Sequence, residues 1–239
     1  MKIIGHRGIV SFSPENSLSG LDYVKSLKLN WVETDVILTK DNIPVIFHDK
    51  KLDKLTNYNG EMKKMNYNQL KTIDIGYKYS LSFMGEKLPL LSEYIEKCDK
   101  LSINIFLELK NYYNDEYVLV KNVIKIIKNC KKNIIIIISS YSRKIIELIN
   151  LLYPTIEKSL IVDKIPDDWY NFVKINNCYS INISYDILKT NNLKDINKCV
   201  SKISTYCHVI NNYYDYIDLQ NIGVKGIITD KAEYFANIK

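Results

Sequence analysis

Three observations predict an α/β chain folded as a TIM (β/α)8 barrel. Short apolar runs bounded by Gly, Pro, Asn or Asp recur along the sequence and read as buried strands. Stretches with apolar residues at helical spacing separate them, long enough for the crossovers that parallel strands require. Eight such units fill 239 residues, the size of one such barrel. One domain over 1–239 is expected, because barrels run to this length as single units. The rhythm is interrupted once, by an insertion over 51–91.

The first strand is Lys2 to Gly5, and Gly8 lets the chain turn sharply away. Pro14-Glu15-Asn16 opens a helix whose stripe is Leu18, Leu21, Val24 and Leu27. The second strand is Trp31–Leu38; Asp41-Asn42 turns the chain, and Ile43–Phe47 returns it to His48. From 51 to 91 the periodicity fails: the stretch is polar and aromatic, has three glycines and lacks a long strand. It is expected either to cross the active-site face, with one short helix near Tyr67–Thr72, or to be an inert surface elaboration. There Tyr58, Tyr77, Tyr79 and Phe83 either line a pocket mouth or pack the insertion down. Alternation then resumes. Helices are predicted over Ser92–Lys100, Asp115–Asn129, Ser142–Leu152, Asp167–Asn176, Asn192–Lys202 and Tyr213–Asn221. Strands are predicted over Ile103–Leu109, Asn133–Ile138, Lys158–Val162, Tyr179–Ile183, Thr205–Ile210 and Gly226–Ile228. The five isoleucines from Ile134 to Ile138 suit a strand buried on both faces.

Composition bounds the rest. An apolar share of 46% is ordinary for a globular chain. The net charge of +6 comes from scattered lysines, a mildly basic surface with no block that marks a nucleic-acid partner. Five cysteines, Cys98, Cys130, Cys178, Cys199 and Cys207, form no CxxC pair and no metal-ligand spacing, which suits free thiols in a reducing compartment. No hydrophobic leader precedes His6, and no apolar run approaches the ~20 residues that span a bilayer. A cytoplasmic protein without stable membrane insertion is the expectation; nothing signals an oligomeric state.

The ionisable residues gather at strand ends. Gly5-His6-Arg7-Gly8, Glu33-Thr34-Asp35 and His48-Asp49 each follow or lie within an apolar run. Side chains two apart on a strand share a face, so Glu33 and Asp35 point together, away from Val32, Thr34 and Val36. Paired carboxylates repel unless a cation or a shared proton neutralises them. Alone, the short and common Glu-x-Asp motif reads more readily as two solvated acids than as a metal site. The full set is more specific. His-Arg-Gly at 6–8, Pro-Glu-Asn at 14–16, Glu-x-Asp at 33–35, Thr39-Lys40-Asp41 and Val45-Ile46-Phe47-His48-Asp49 appear in order, with "LELK" at 107–110 and "GVKGIITD" at 223–230. This sequence resembles the glycerophosphodiester phosphodiesterase family over nearly its whole length.

Phosphodiester chemistry needs charge stabilisation at the phosphoryl oxygens and proton transfer at the attacking and leaving oxygens. Glu33, Asp35 and Glu108 are enough to hold one divalent cation, Mg2+ or Ca2+, with Mn2+ also acceptable. Arg7 is suited to a forked phosphate contact and Lys110 to a point-charge contact. His6 and His48 are the expected acid and base. The resemblance implies the same assignment, with a glycerol hydroxyl as nucleophile and a small-molecule glycerophosphodiester as substrate. It adds Asn182 as a substrate contact. His208 stands where the family carries tryptophan, which alters the pocket wall near the alcohol; it too is placed among the substrate-binding residues. Metal-dependent hydrolysis to an alcohol and sn-glycerol 3-phosphate is the activity implied. The alternatives are a lysophospholipase D or sphingomyelinase D-like lipid phosphodiesterase, and a non-catalytic glycerophosphodiester-binding protein.

Overall fold

The computed structural model describes residues 1–130, 133–185 and 193–236. Strands β1 (Lys2–His6), β2 (Trp31–Leu38), β4 (Asn104–Leu109), β5 (Ile136–Ser140), β6 (Lys158–Val162), β7 (Ser180–Ser184), β8 (Ser204–His208) and β9 (Gly226–Thr229) pair in parallel. Pairing of β1 with both β9 and β2 closes the ring. A short antiparallel strand β3 (Pro44–Ile46) lies outside it against β2. This is the TIM barrel expected from the sequence. Helices α1 (Leu18–Ser26), α2 (Tyr67–Leu70), α3 (Leu91–Leu101), α4 (Glu116–Asn129), α5 (Arg143–Leu152), α6 (Trp169–Ile175), α7 (Leu193–Val200), α8 (Tyr213–Asn221) and α9 (Ala232–Phe235) complete the described elements.

Boundaries move by a few residues for identifiable reasons. Ser17 caps α1 by accepting the Gly20 amide, so the helix starts at Leu18 rather than within Pro14-Glu15-Asn16. The isoleucine run begins before its strand: pairing with β4 starts at Ile136, and Ile135 is half exposed. Strand β8 stops at His208, two residues short of Ile210. The expected helix start at Asn192 lies outside the described residues.

Apolar side chains form nested layers. Ile4, Trp31, Phe106, Ile137, Tyr206 and Ile228 plug the barrel interior. The Phe106 ring lies 5.3 Å from that of Trp31 and 4.8 Å, edge-on, from that of Tyr206. The barrel is therefore a packed core rather than a pore, and only its C-terminal mouth is left for a site. Outside the ring, β-strand residues such as Val32, Val36, Ile105 and Leu107 pack against Leu21, Leu91, Ile95 and Val120 of the helices. The insertion has a core of its own, in which Leu52, Met62, Leu70, Ile73, Ile75 and Leu88 pack on Ile37, Val45 and Phe47. Its periodicity was unreadable because that core is built from turns, two single 3-10 turns and the one-turn helix α2. The short helix itself falls where the sequence placed it.

Candidate active site

Register brings the strand-end residues to one level. His6 sits beside Glu33, Asp35 beside Glu108, and Glu108 beside Ser139. Gly5 pairs with Thr229, which puts His6 next to Asp230. The turn after β1 is specific. Gly8 has φ of 100° and Arg7 of 52°; a side chain on Gly5 would place its Cβ 2.3 Å from the Gly8 carbonyl oxygen. This backbone aims the Arg7 amide at Glu33 Oε2 (3.2 Å) and its guanidinium at Glu15 Oε1 (2.9 Å) and Asp35 Oδ2 (3.3 Å).

Glu33, Asp35 and Glu108 offer carboxylate oxygens within 4.8 Å of one another. Glu33 and Asp35 are buried. Lys110 Nζ reaches Glu108 Oε1 at 2.6 Å and Asp35 Oδ1 at 3.0 Å. Burial, then Asp35 and Glu108, raise the Glu33 pKa well above the carboxylate range. Burial likewise pushes Glu108 up to about 7 against the pull of Lys110. At Asp35 burial acts in the same sense but loses to Lys110, Arg7 and His48, and its pKa is lowered. Burial alone would depress Arg7 and Lys110, yet the carboxylates around them hold both raised. With all three carboxylates ionised, as cation binding would require, they leave one negative charge against the two cations. A divalent cation would make the cluster +1, and a phosphodiester monoanion would then neutralise it.

The donor set fits such a cation. It is all oxygen, as hard divalent ions prefer. Glu33 Oε1 is buried with no hydrogen-bond partner among the described residues, a costly arrangement unless something binds there.

Both histidines are tethered through Nδ1. His6 Nδ1 is 2.6 Å from Asp230 Oδ1, and His48 Nδ1 is 2.5 Å from Asp49 Oδ1. A carboxylate only accepts, so Nδ1 carries the proton and Nε2 is the nitrogen left for proton transfer. His6 Nε2 lies 3.8 Å from Glu33 Oε2. Burial, with Lys110 and Arg7, lowers the His48 pKa against the pull of Asp35.

Asn182 and His208 reach the same mouth from β7 and β8. With His6, Glu33, Glu108 and Ser139 they line a chamber of about 20 Å³, room for one water or one ion. Asn182 Oδ1 accepts from Ser159 Oγ at 3.2 Å. His208 Nε2 meets the Tyr141 hydroxyl at 3.0 Å. Two larger clefts are also present, the first sharing Glu108 with the chamber. One of about 330 Å³ runs past Glu108, Lys110, Tyr112 and Tyr141. The other, about 290 Å³, lies between Val10, Glu15, Lys54, Leu55 and Tyr79. Of the insertion aromatics, Tyr79 lines that cleft and Phe83 packs on it at 5.4 Å, whereas Tyr58 and Tyr77 are exposed.

Several residues escaped the sequence reading. Asn16 has φ of 57°; its Nδ2 donates to Asp35 Oδ2 (2.9 Å) while its Oδ1 accepts from Thr34 Oγ1 (2.7 Å) and the Asp35 amide (3.3 Å). It thereby locks Asp35. Asp230, the last residue of the GVKGIITD motif and given no role in the sequence reading, orients His6 and is itself held by Asn211 Nδ2 at 2.9 Å. Ser139 Oγ is buried without a hydrogen-bond partner among the described residues; its inward position two after Ile137 was the available signal. A second acidic group, Glu15, His48 and Asp49, also comes together. Arg7 and Lys54 already engage Glu15, and Lys54 stands 3.6 Å from Asp49, so it reads as an ion-pair network.

The profile of the Glycerophosphoryl diester phosphodiesterase family matches residues 6–234. YhdW of Bacillus subtilis is 28% identical over 239 aligned positions, covering 98% of this chain and 96% of the relative. The glycerophosphodiester phosphodiesterase of Caldanaerobacter subterraneus is 26% identical, covering 99% and 96%. Among solved structures, an Oleispira antarctica phosphodiesterase in complex with the product sn-glycerol-3-phosphate superposes with a TM-score of 0.91 at 26% identity, covering 98% of this chain and 94% of that one. With the family match spanning nearly the entire barrel, this chain belongs to the glycerophosphoryl diester phosphodiesterase family and is an enzyme.

Proposed function

We propose that the enzyme hydrolyses glycerophosphodiesters to an alcohol and sn-glycerol 3-phosphate, using one divalent cation and two histidines. The observation that carries this reading is the convergence of His6 and His48 on a buried Glu33-Asp35-Glu108 cluster that already holds Arg7 and Lys110. Likeness to a phosphodiesterase complexed with sn-glycerol 3-phosphate supports the product class.

Glu33, Asp35 and Glu108 would hold Mg2+, Ca2+ or Mn2+, which supplies charge stabilisation to the phosphoryl oxygens. Arg7 and Lys110 bind the phosphate and offset the charge that grows on it. One imidazole Nε2 takes the proton of the attacking glycerol hydroxyl and the other returns a proton to the departing alcohol, leaving a cyclic glycerol phosphate; water then opens that ring with the two proton roles reversed, giving sn-glycerol 3-phosphate. Asp230 and Asp49 keep the two rings in the tautomer this requires. Asn182 and His208 bound the small chamber and contact the substrate from the β7–β8 side. Neither the lipid phosphodiesterase alternative nor a binding-only role is favoured by the comparisons.

The test is release of sn-glycerol 3-phosphate from a panel of glycerophosphodiesters, after chelation and after restoring each cation. Turnover is expected only with a divalent cation present. His6→Ala and His48→Ala are each expected to lower kcat by about 10²- to 10⁴-fold. Undiminished activity in either variant, or after chelation, would refute the assignment.

A further inference from the structure

The insertion ends in an apolar tip that the hydrolytic site does not use. Leu81 is 74% exposed and Met84 66%, large values for side chains of this type. They sit on the 3-10 turn Leu81–Phe83 and its C-cap. The patch is continuous. Phe12, itself 41% exposed, contacts Tyr23 at 5.8 Å, Tyr23 contacts Phe83 at 6.4 Å, and Phe83 contacts Tyr79. Contiguous exposed apolar surface of this kind marks an interaction site, whereas a single exposed leucine does not.

The tip is built, not loose. The Ile75 amide donates to the Glu86 carbonyl at 2.9 Å and the Ser80 amide to the Gly76 carbonyl at 3.1 Å. Gly76 leaves no room for a side chain, since its Cβ would fall 2.0 Å from the Phe83 carbonyl oxygen. The Tyr79 hydroxyl donates to the Val10 carbonyl at 3.1 Å, which ties the tip to the loop after β1 and hence to the barrel mouth.

Charge indicates the occupant. Residues 51–91 contain seven lysines against four acids, half of the net charge of the chain. Lys51, Lys54, Lys64, Lys71, Lys78 and Lys87 are exposed, and Lys78 and Lys87 flank the tip. The two acids nearest the tip are engaged by backbone: Asp74 accepts from the amides of Gly76, Tyr77 and Gly85, and Glu86 from that of Ser19. An apolar point on a segment that carries a net charge of +3 is repelled by a second copy of itself and attracted by an anionic surface. We infer that Leu81 and Met84 dock the enzyme reversibly on anionic phospholipid surfaces, with the 290 Å³ cleft behind Tyr79 opening beside the docked tip. No helix among the described residues is long and apolar enough to cross a membrane, so the contact is peripheral. Docking of this sort combines shallow apolar insertion with attraction of basic residues to acidic lipids.

The test is co-sedimentation of the full-length chain with vesicles of phosphatidylglycerol and phosphatidylcholine in equal parts, and with phosphatidylcholine alone. Binding is expected to the mixed vesicles only, to weaken as salt rises to about 0.5 M, and to fall at least about tenfold in Leu81→Ser/Met84→Ser. A Leu81→Trp variant should show a blue-shifted emission on vesicle addition, readable because Trp31 and Trp169 are buried. Hydrolysis of a soluble glycerophosphodiester by the double variant should equal that of the wild type, so a failed hydrolytic reading and a failed docking reading are separable. Lack of vesicle binding, equal binding to neutral vesicles, retention in the double variant, or self-association lost in that variant would each overturn the inference.

Discussion

Cation binding at the acidic cluster should depend on pH in a direction that the structure dictates. Without a cation, Glu108 is pushed up to about 7 and Glu33 is also raised, so the cluster retains a proton near neutrality that a cation must displace. For one site titrating at about 7, proton competition weakens binding by a factor of about 11 at pH 6 and about 1.1 at pH 8, a difference of about tenfold. Glu33 adds to this, so tenfold is the smaller expectation. Isothermal titration of the cation-free enzyme with Mn2+ at pH 6 and pH 8, in two buffers of different ionisation enthalpy, reads both the affinity and the protons released. The same groups set the stability of the cation-free protein. A carboxyl at about 7 against its ordinary 4.5 binds a proton when folded that it lacks when unfolded. Stability therefore falls as pH rises through 4.5 to 7, by about 3 kcal/mol from this group. Glu108 and Glu33 should raise the Tm of the cation-free protein as pH drops from 8 towards 5, and added cation should restore it most at pH 8. His48, its pKa lowered by burial, acts in the opposite sense below about 6.5. Equal affinity at pH 6 and 8 with no proton release would refute the reasoning, because the raised carboxyls would then not be where the cation binds.

Three further outcomes follow from the contacts. Asp230→Asn should lower kcat about 10²-fold with little change in KM, because a neutral amide in place of the carboxylate no longer holds the His6 Nδ1 proton as a charged acceptor does; a KM effect alone would show that Asp230 serves binding instead. Asn16→Ala removes three hydrogen bonds, one to a carboxylate, and places alanine at a left-handed φ. The cost is about 3 kcal/mol or more, a fall of about 6–12 °C in the Tm measured by calorimetry for a chain of this size. Phe106→Ala should cost about 3–5 kcal/mol by opening a cavity in the barrel plug, measurable by urea denaturation, while cation affinity changes little if the plug serves packing alone.

The sequence by itself determined the order of eight strands, since a buried parallel strand must be a short apolar run and its crossover must carry a helical stripe. It also determined which residues stand at strand ends, because ionisable side chains there have no packing reason to be present. His6, Arg7, Glu33, Asp35, His48, Glu108 and Lys110 were legible on that ground. Partners were another matter. That Asn16 clamps Asp35, and that Asp230 orients His6 across 224 positions of sequence, depends on closure of the ring, which no local pattern encodes. The opposite shifts of Asp35 and Glu108, adjacent in register and both touched by Lys110, arise because Arg7 and Asn16 also hold Asp35. The insertion was opaque for a related reason: its core forms by meeting β3 rather than by any period of its own. Only the tertiary structure decided that Leu81 and Met84 face outward, because an apolar residue in a turn-rich segment carries no sign of which side will be buried.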